Sequence, residues 1–355
     1  MVVALTFRNN KNAIIVAFLS LCVVITVLFS LSVGAVSIPV GDVAAILFHK
    51  LGMFTSIEVN ATHEVVLNSI RIPRILMTVL VGGALGISGA SLQGLFRNPL
   101  VEPSLIGVSG GAAAGVVTVI VFGSSVALTK GTLLYNSLLP VVAFAGGLTA
   151  TFLVLRLSSQ MGRTNIAVLV LVGVAINALA AAIIGLSIFY ADENQLHTFT
   201  FWALGDLGGA TWDKLVIAAP LLIFSATALL FFSGALNALT LGEAEAYHMG
   251  VDVERSKRRI IALSALAVGV SVSMTGMIGF VGLVVPHLIR VLFHADNRLV
   301  LPASILGGAW LLILADVLAR TVVTPAELPI GVVTGLIGSP FFIALLMKAK
   351  KKNEL

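Results

Sequence analysis

The sequence predicts an all-α polytopic membrane protein of about ten transmembrane helices, with both termini on the cytoplasmic side. Three observations lead to that class. The chain is 58% hydrophobic and only 10% charged, whereas charged residues make up nearer a quarter of a soluble domain. Its apolar residues fall in runs of about twenty, the length a helix needs to cross the hydrocarbon. Its basic residues collect on alternate connections between those runs.

The runs occupy about 13–36, 72–95, 103–123, 136–156, 165–190, 214–234, 260–278, 281–293, 299–319 and 329–347, so that residues 1–355 form one transmembrane domain. The first is longer than a signal-peptide core and lacks an A-x-A exit, which makes it a retained span. It holds the only cysteine, Cys22, so an internal disulfide and a multi-thiolate metal site are both excluded. The second contains the small-residue ridge "VGGALGISGASLQG" (81–94). Small residues let membrane helices approach closely, but glycine-interrupted spans also line transport paths. The seventh and eighth are separated only by a stretch broken by Gly276, Gly279, Gly282 and Pro286, readable as one long run or two short helices.

The charges decide between those counts. With ten spans and the N-terminus inside, only Lys50, Arg71, Arg74, Lys130, Lys214 and Arg320 of the 21 basic residues lie outside. That is the asymmetry of the positive-inside rule. Merging spans seven and eight would carry the tail "KAKKKNEL" outside and spoil it. The net charge of +5 is therefore topological, and nucleic acid is rejected as a partner. The outside segment 191–213, "ADENQLHTFTFWALGDLGGATWD", carries Phe199, Phe201, Trp202 and Trp212. These are interfacial anchors or part of a surface re-entrant helix.

Catalytic chemistry is scarcely represented. The six histidines have no helical metal-site spacing, and there is no P-loop, so energy for transport must come from another polypeptide or an ion gradient. Ionisable groups near the spans are too few for a proton relay. Asp316 and Arg320 lie four apart on one helix face and can pair. Glu102 and Glu327 stand at Pro/Gly turns, where a carboxylate can cap the following helix.

One segment departs from the rest. "LTLGEAEAYHMGVDVERSKRR" (239–259) holds eight charged residues in 21 and falls on the cytoplasmic side. Its "GEAEAYHMG" core is rich in helix formers between two glycines. A short amphipathic helix with Ala246 and Met249 on one face would be a docking surface for a soluble partner; a solvated connector is the other reading.

"RIPRILMTVLVGGALGISGASLQGLFRNPLVEPSLIGVSGGAAAG" (71–115) resembles the signature of the FecCD-type permeases, the membrane subunits of ABC importers for ferric siderophores, haem and cobalamin. "LGEAEAYHMGV" (241–251), "GFVGLVVPHLIRVL" (279–292) and "ELPIGVVTGLIGSPFFIALL" (327–346) agree in order. The resemblance implies ten helices per subunit, a homodimer around a central path, two cytoplasmic ATPase subunits that bind ATP and Mg, and a periplasmic binding protein. It places the protein in the bacterial inner membrane, with no cofactor or metal of its own.

The same resemblance makes the segment about 239–257 the coupling helices, with Gly242, Glu243, Ala246, Met249 and Gly250 as ATPase contacts. It makes Arg71, Arg74 and Arg320 the receivers of acidic residues from the binding protein, a task suited to the guanidinium fork. For Arg320 this competes with the Asp316 pairing. It sets Thr164 and Asn165 near the inner gate and Asn177 toward the lumen, although a span-interior asparagine also serves to bond a neighbouring helix. "TFWALGDLGGATWDK" is similar to the equivalent region of haem permeases, where Ser often replaces Asp206. Haem is thus the first expectation for cargo, ahead of a ferric siderophore and cobalamin. A secondary transporter working alone would instead need buried charges along its spans and no docking helix.

Overall fold

Each apolar run folds as a helix. A computed structural model describes residues 2–34, 36–50, 60–123 and 133–351. Its helices are α1 (Val2–Ser32), α2 (Val40–Lys50), α3 (Ala61–Val66), α4 (Ile72–Phe96), α5 (Val108–Phe122), α6 (Leu133–Leu157), α7 (Ile166–Phe189), α8 (Glu193–Leu204), α9 (Trp212–Leu230), α10 (Ser233–Leu241), α11 (Glu243–His248), α12 (Val253–Thr275), α13 (Val281–Leu292), α14 (Asn297–Thr321) and α15 (Ile330–Lys351). Among the described residues seven helices are long and apolar enough to cross a membrane, and three more are apolar but shorter. Lys130 and Lys352, both used in the charge count, lie outside the described residues.

Helix α1 begins at Val2, eleven residues before the predicted 13, and two further departures from the predicted runs have local causes. Residues Pro103–Ile106 form a 3₁₀ turn, so α5 starts only at Val108. At the other extreme α12 starts at Val253, seven residues before the predicted 260, because Asp252 caps it (Oδ1 accepts from the Arg255 N–H at 3.1 Å). The charged "VERSKRR" that follows is made of good helix formers. Between α12 and α13 the chain breaks at residues 276–280, which separates the seventh and eighth runs into two helices.

Helix α4 is the hub: the candidate crossing segment that contains it is 83% buried, against 17% for α7. It packs chiefly on α14, α12, α13 and α9, while α5, α6 and α7 form a second group joined through α12. The ridge 81–94 is wholly buried and makes this packing possible. A Cβ on Gly86 would lie 2.1 Å from the Ser304 carbonyl oxygen of α14, a close approach that only small residues allow. Leu171, Val174, Leu179 and Leu186 of α7, with Phe18 and Leu21 of α1, present a broad exposed apolar surface. Such a surface belongs against lipid or another subunit rather than water.

The outer segment 191–213 holds α8, opened by a capping box in which Asp192 and Gln195 bond each other's backbone. Phe199 is buried in the core, whereas Phe201 and Trp212 are exposed. Before α4, residues Leu67–Arg71 form a π-helical turn. Wide turns of this kind are rare and concentrate at functional positions.

Candidate functional site

Two polar clusters stand at opposite ends of the bundle, named inner and outer after the sidedness expected from the basic residues. The inner one is built on α11. Gly242, at φ +133°, lets the chain turn between α10 and α11, a conformation that L side chains rarely adopt. Ala246 is fully buried against the chain's own core, and its carbonyl accepts from the Val251 N–H. This corrects the expectation that Ala246 and Met249 share one outward face. Leu241, Tyr247 and Met249 are the exposed large apolar residues of this segment instead, and the helix is seated on the face that carries Ala246.

Glu243 is not free either. Its Oε2 accepts from Lys257 Nζ at 2.7 Å. Lys257, only 2% exposed, also donates to Glu254 Oε1 at 3.1 Å and to the Thr164 carbonyl at 3.1 Å. Glu254 Oε2 in turn accepts from the Thr164 N–H at 2.8 Å. Thr164 lies on the second strand of a small hairpin, β1 (Ser159–Gln160) with β2 (Arg163–Thr164). Asn165 caps α7, its Oδ1 accepting from the Ala167 and Val168 N–H groups. The Arg258 guanidinium reaches the Gly162 carbonyl at the hairpin turn. A cavity of about 400 Å³ lies beside this junction, rimmed by Arg97, Arg163, Thr164, Glu243 and Lys257. Lys257 and Glu254 counted in the sequence among the charges of 239–259 but not among the site residues. Their separation of three residues on a helix was the available signal, while the contact to Glu243, fourteen residues away, had none.

The outer cluster joins α4, α14 and the loop before α15. Arg74 Nε donates to Asp316 Oδ1 at 2.9 Å, and its two terminal nitrogens grip Glu327 bidentately at 3.0 and 2.8 Å. Arg320 Nε lies 3.0 Å from Asp316 Oδ2 without hydrogen-bond alignment, so that contact is charge proximity alone. Its terminal nitrogens donate to Ser30 Oγ and the Val33 carbonyl. Arg71 donates to the Leu31 and Val36 carbonyls. All three arginines are 4–6% exposed. Expected as outward docking groups, they are instead held inside the chain, since a buried guanidinium without partners would be far too costly. Glu327 likewise grips Arg74 rather than capping a helix. Glu102 bonds the Phe280 N–H just before α13, not the helix that follows it in sequence.

Next to this cluster an outer pocket of about 270 Å³ is lined by Phe201, Trp202, Asp206, Lys214, Met274 and Glu327, among others. Asp206 accepts from the Gly208 and Gly209 N–H groups. Its carboxylate thereby closes a turn. Asn177, expected toward a lumen, donates to the Ser104 carbonyl at 3.0 Å and abuts Gly110. It bonds a neighbouring element instead.

Two further features complete the picture, the first a motif that the sequence itself contains. Gly107–Gly111 has G-x-S-x-G spacing, but Ser109 follows a 3₁₀ turn rather than a strand, so the context of a nucleophile elbow is missing. At the inner end of α13, Arg290 donates to Gln93 Oε1 at 2.6 Å, the Ala90 carbonyl at 3.0 Å and Asn297 Oδ1 at 3.4 Å. That network ties α4, α13 and α14 together.

Comparison with known proteins now bears on this geometry. Residues 22–348 match the FecCD transport family. The chain is 42% identical over 341 residues to the hemin transport system permease HmuU of Yersinia pestis, covering 96% of this chain and 97% of the relative. It is 39% identical to a cobalamin import permease, BtuC, of Halobacterium salinarum, covering 80% and 74% respectively. It is 36% identical to the molybdate import permease MolB of Haemophilus influenzae, covering 94% and 95%. The fold is similar to a solved inward-facing structure of an ABC transporter assigned to the metal-chelate type, with a TM-score of 0.80 and 33% identity over 94% of this chain and 99% of that one.

Proposed function

The chain belongs to the FecCD transport family and is a multi-pass membrane permease subunit of an ABC importer, and from that premise we propose that it forms, with a second copy of itself, a path for haem. The observation that carries the cargo reading is the 42% identity, over nearly the whole of both chains, to a hemin permease. The outer pocket supports it: Phe201, Trp202 and Met274 offer flat, polarisable surface to an aromatic macrocycle. None of the described lining residues is a histidine or cysteine, which suits a cargo that must be released as readily as it is received.

In this reading the protein sits in a bacterial inner membrane and hydrolyses nothing itself. ATP and Mg bind to two cytoplasmic ATPase subunits. The exposed Leu241, Tyr247 and Met249 meet each ATPase, Gly242 and Gly250 set the ends of the coupling helix, and Ala246 and Glu243 anchor it to the bundle. On the outside a periplasmic binding protein delivers the cargo, its acidic residues drawn to the excess positive charge of Arg71, Arg74 and Arg320. Thr164 and Asn165 form the inner gate. Closure of the ATPase dimer shifts the permease between states because the contacts at the coupling helix differ between them.

The test is reconstitution of the permease with its ATPase in liposomes, adding binding protein that is empty or loaded with haem, a ferric siderophore or cobalamin. ATP-dependent uptake of haem alone is the expected result. Selective uptake of either other chelate overturns the cargo, and uptake without ATPase subunits overturns the class.

A further inference from the structure

Lys257 is a charge to which the importer reading gives no role. An ammonium buried to 2% exposure carries a desolvation cost that only full partnering offsets. An ammonium has three donors and no acceptor. Here the three go to three different elements: Glu243 on α11, Glu254 on α12 and the Thr164 carbonyl on the hairpin. Thr164 is gripped at both backbone groups, its carbonyl by Lys257 and its N–H by Glu254. The packing follows the same line, since α11 and β2 each pack on α12.

We propose that Lys257 is the positioning residue that makes the coupling helix and the inner hairpin move as one body. The inference rests on the importer reading and adds to it a physical route from α11 to residues 158–165. Glu243 is the arm on the moving helix, with its side chain 42% exposed at the edge of the junction, whereas Glu254 and the hairpin hold the ammonium from the bundle side. Two carboxylates share one ammonium, so any drift of Glu243 away from Lys257 leaves a half-buried carboxylate uncompensated. The low-energy response to a push on α11 is therefore to carry Lys257, and Thr164 with it. Arg258, bonded to the Gly162 carbonyl, braces the far end of the same hairpin from the next residue of α12.

Hydrogen exchange on the intact permease–ATPase complex in nanodiscs tests this, comparing peptides covering 243–250 and 158–165 with and without ATP, alongside uptake per ATP hydrolysed in liposomes. In the parent complex both peptides change protection together on ATP binding. In Lys257→Met combined with Glu243→Gln and Glu254→Gln, a neutral set of similar volume, 243–250 still responds, 158–165 does not, and uptake per ATP falls at least tenfold. Glu243→Gln alone, which keeps the Lys257–Glu254 pair and so spares the fold, shows the same split in weaker form. A hairpin that responds as in the parent in both variants overturns the proposal. A parent complex that neither hydrolyses ATP nor changes protection overturns the importer reading instead.

Discussion

Replacing Asp316 by Asn tests what balances the outer arginines. Asp316 is 1% exposed in its side chain and sits between Arg74 at 2.9 Å and Arg320 at 3.0 Å. Removing one member of a buried ion pair costs about 3–5 kcal/mol, because the other is left buried and uncompensated. Three features of the site pull the value to the low end. Arg74 keeps its bidentate grip on Glu327, Arg320 keeps Ser30 and Val33, and the Arg320–Asp316 contact lacks hydrogen-bond alignment. The amide also retains one oxygen for Arg74 Nε, but its nitrogen then faces Arg320 Nε, donor against donor. The expected loss is about 3 kcal/mol. It is read as the midpoint shift of denaturant unfolding in detergent, followed by the fluorescence of Trp202, Trp212 and Trp310. Adding Arg320→Gln removes the orphaned cation, and at least half of the loss returns. A midpoint for Asp316→Asn within about 1 kcal/mol of the parent, the range of a surface pair, refutes the claim that this carboxylate balances the cluster.

Glu327→Gln frees one side of the Arg74 fork from an internal competitor; binding protein then binds several-fold more tightly by biolayer interferometry, a change of about 1 kcal/mol for a part-exposed pair, and the gain shrinks at high salt. Gly242→Ala places a side chain where φ is +133°, at a strain of about 1–3 kcal/mol; uptake in liposomes falls while the amount of assembled permease, measured by size exclusion, does not. Asn177→Ala removes the bond to the Ser104 carbonyl and lowers stability by about 0.5–2 kcal/mol; the rate of cargo transport per assembled complex stays unchanged, and a selective loss of rate would return Asn177 to the path.

What the sequence made legible was whatever depends on neighbours along the chain. Hydropathy runs located the ten apolar helices, and the charge asymmetry chose two helices over one across the glycines of 276–282. The exceptional charge density of 239–259 pointed to α11. Contacts across the bundle were opaque. Arg74 meets residues 242 and 253 positions away, so nothing in "RIPR" reveals that its fork is already occupied. Ala246 reads as one more small helix former, and only the packing of α10 and α12 decides that it faces inward. Asn177 carried both readings in the sequence, and the choice depended on how close α7 comes to the turn at Ser104.

The charges that remain in this apolar chain are unevenly matched at the outer end. There Arg71, Arg74 and Arg320 stand with Asp316 and Glu327, three cations to two anions. At the inner junction Glu243 and Glu254 share Lys257, with Arg97 and Arg163 on the rim of the cavity beside them. An odd charge in a partly desolvated site interacts far more strongly with an incoming ion than the same charge in water. An acidic partner therefore gains at the outer end. That gain is largest in the conformation that brings the odd charge within reach, so docking there biases the equilibrium toward that conformation. By linkage, a conformational change driven from the inner end must alter the affinity for the outer partner by the same factor. Measuring binding-protein affinity with and without ATP, in the parent and in Glu327→Gln, gives that factor directly. If the outer cluster takes part in the switch, the ratio differs between the two proteins; equal ratios confine the cluster to holding the fold.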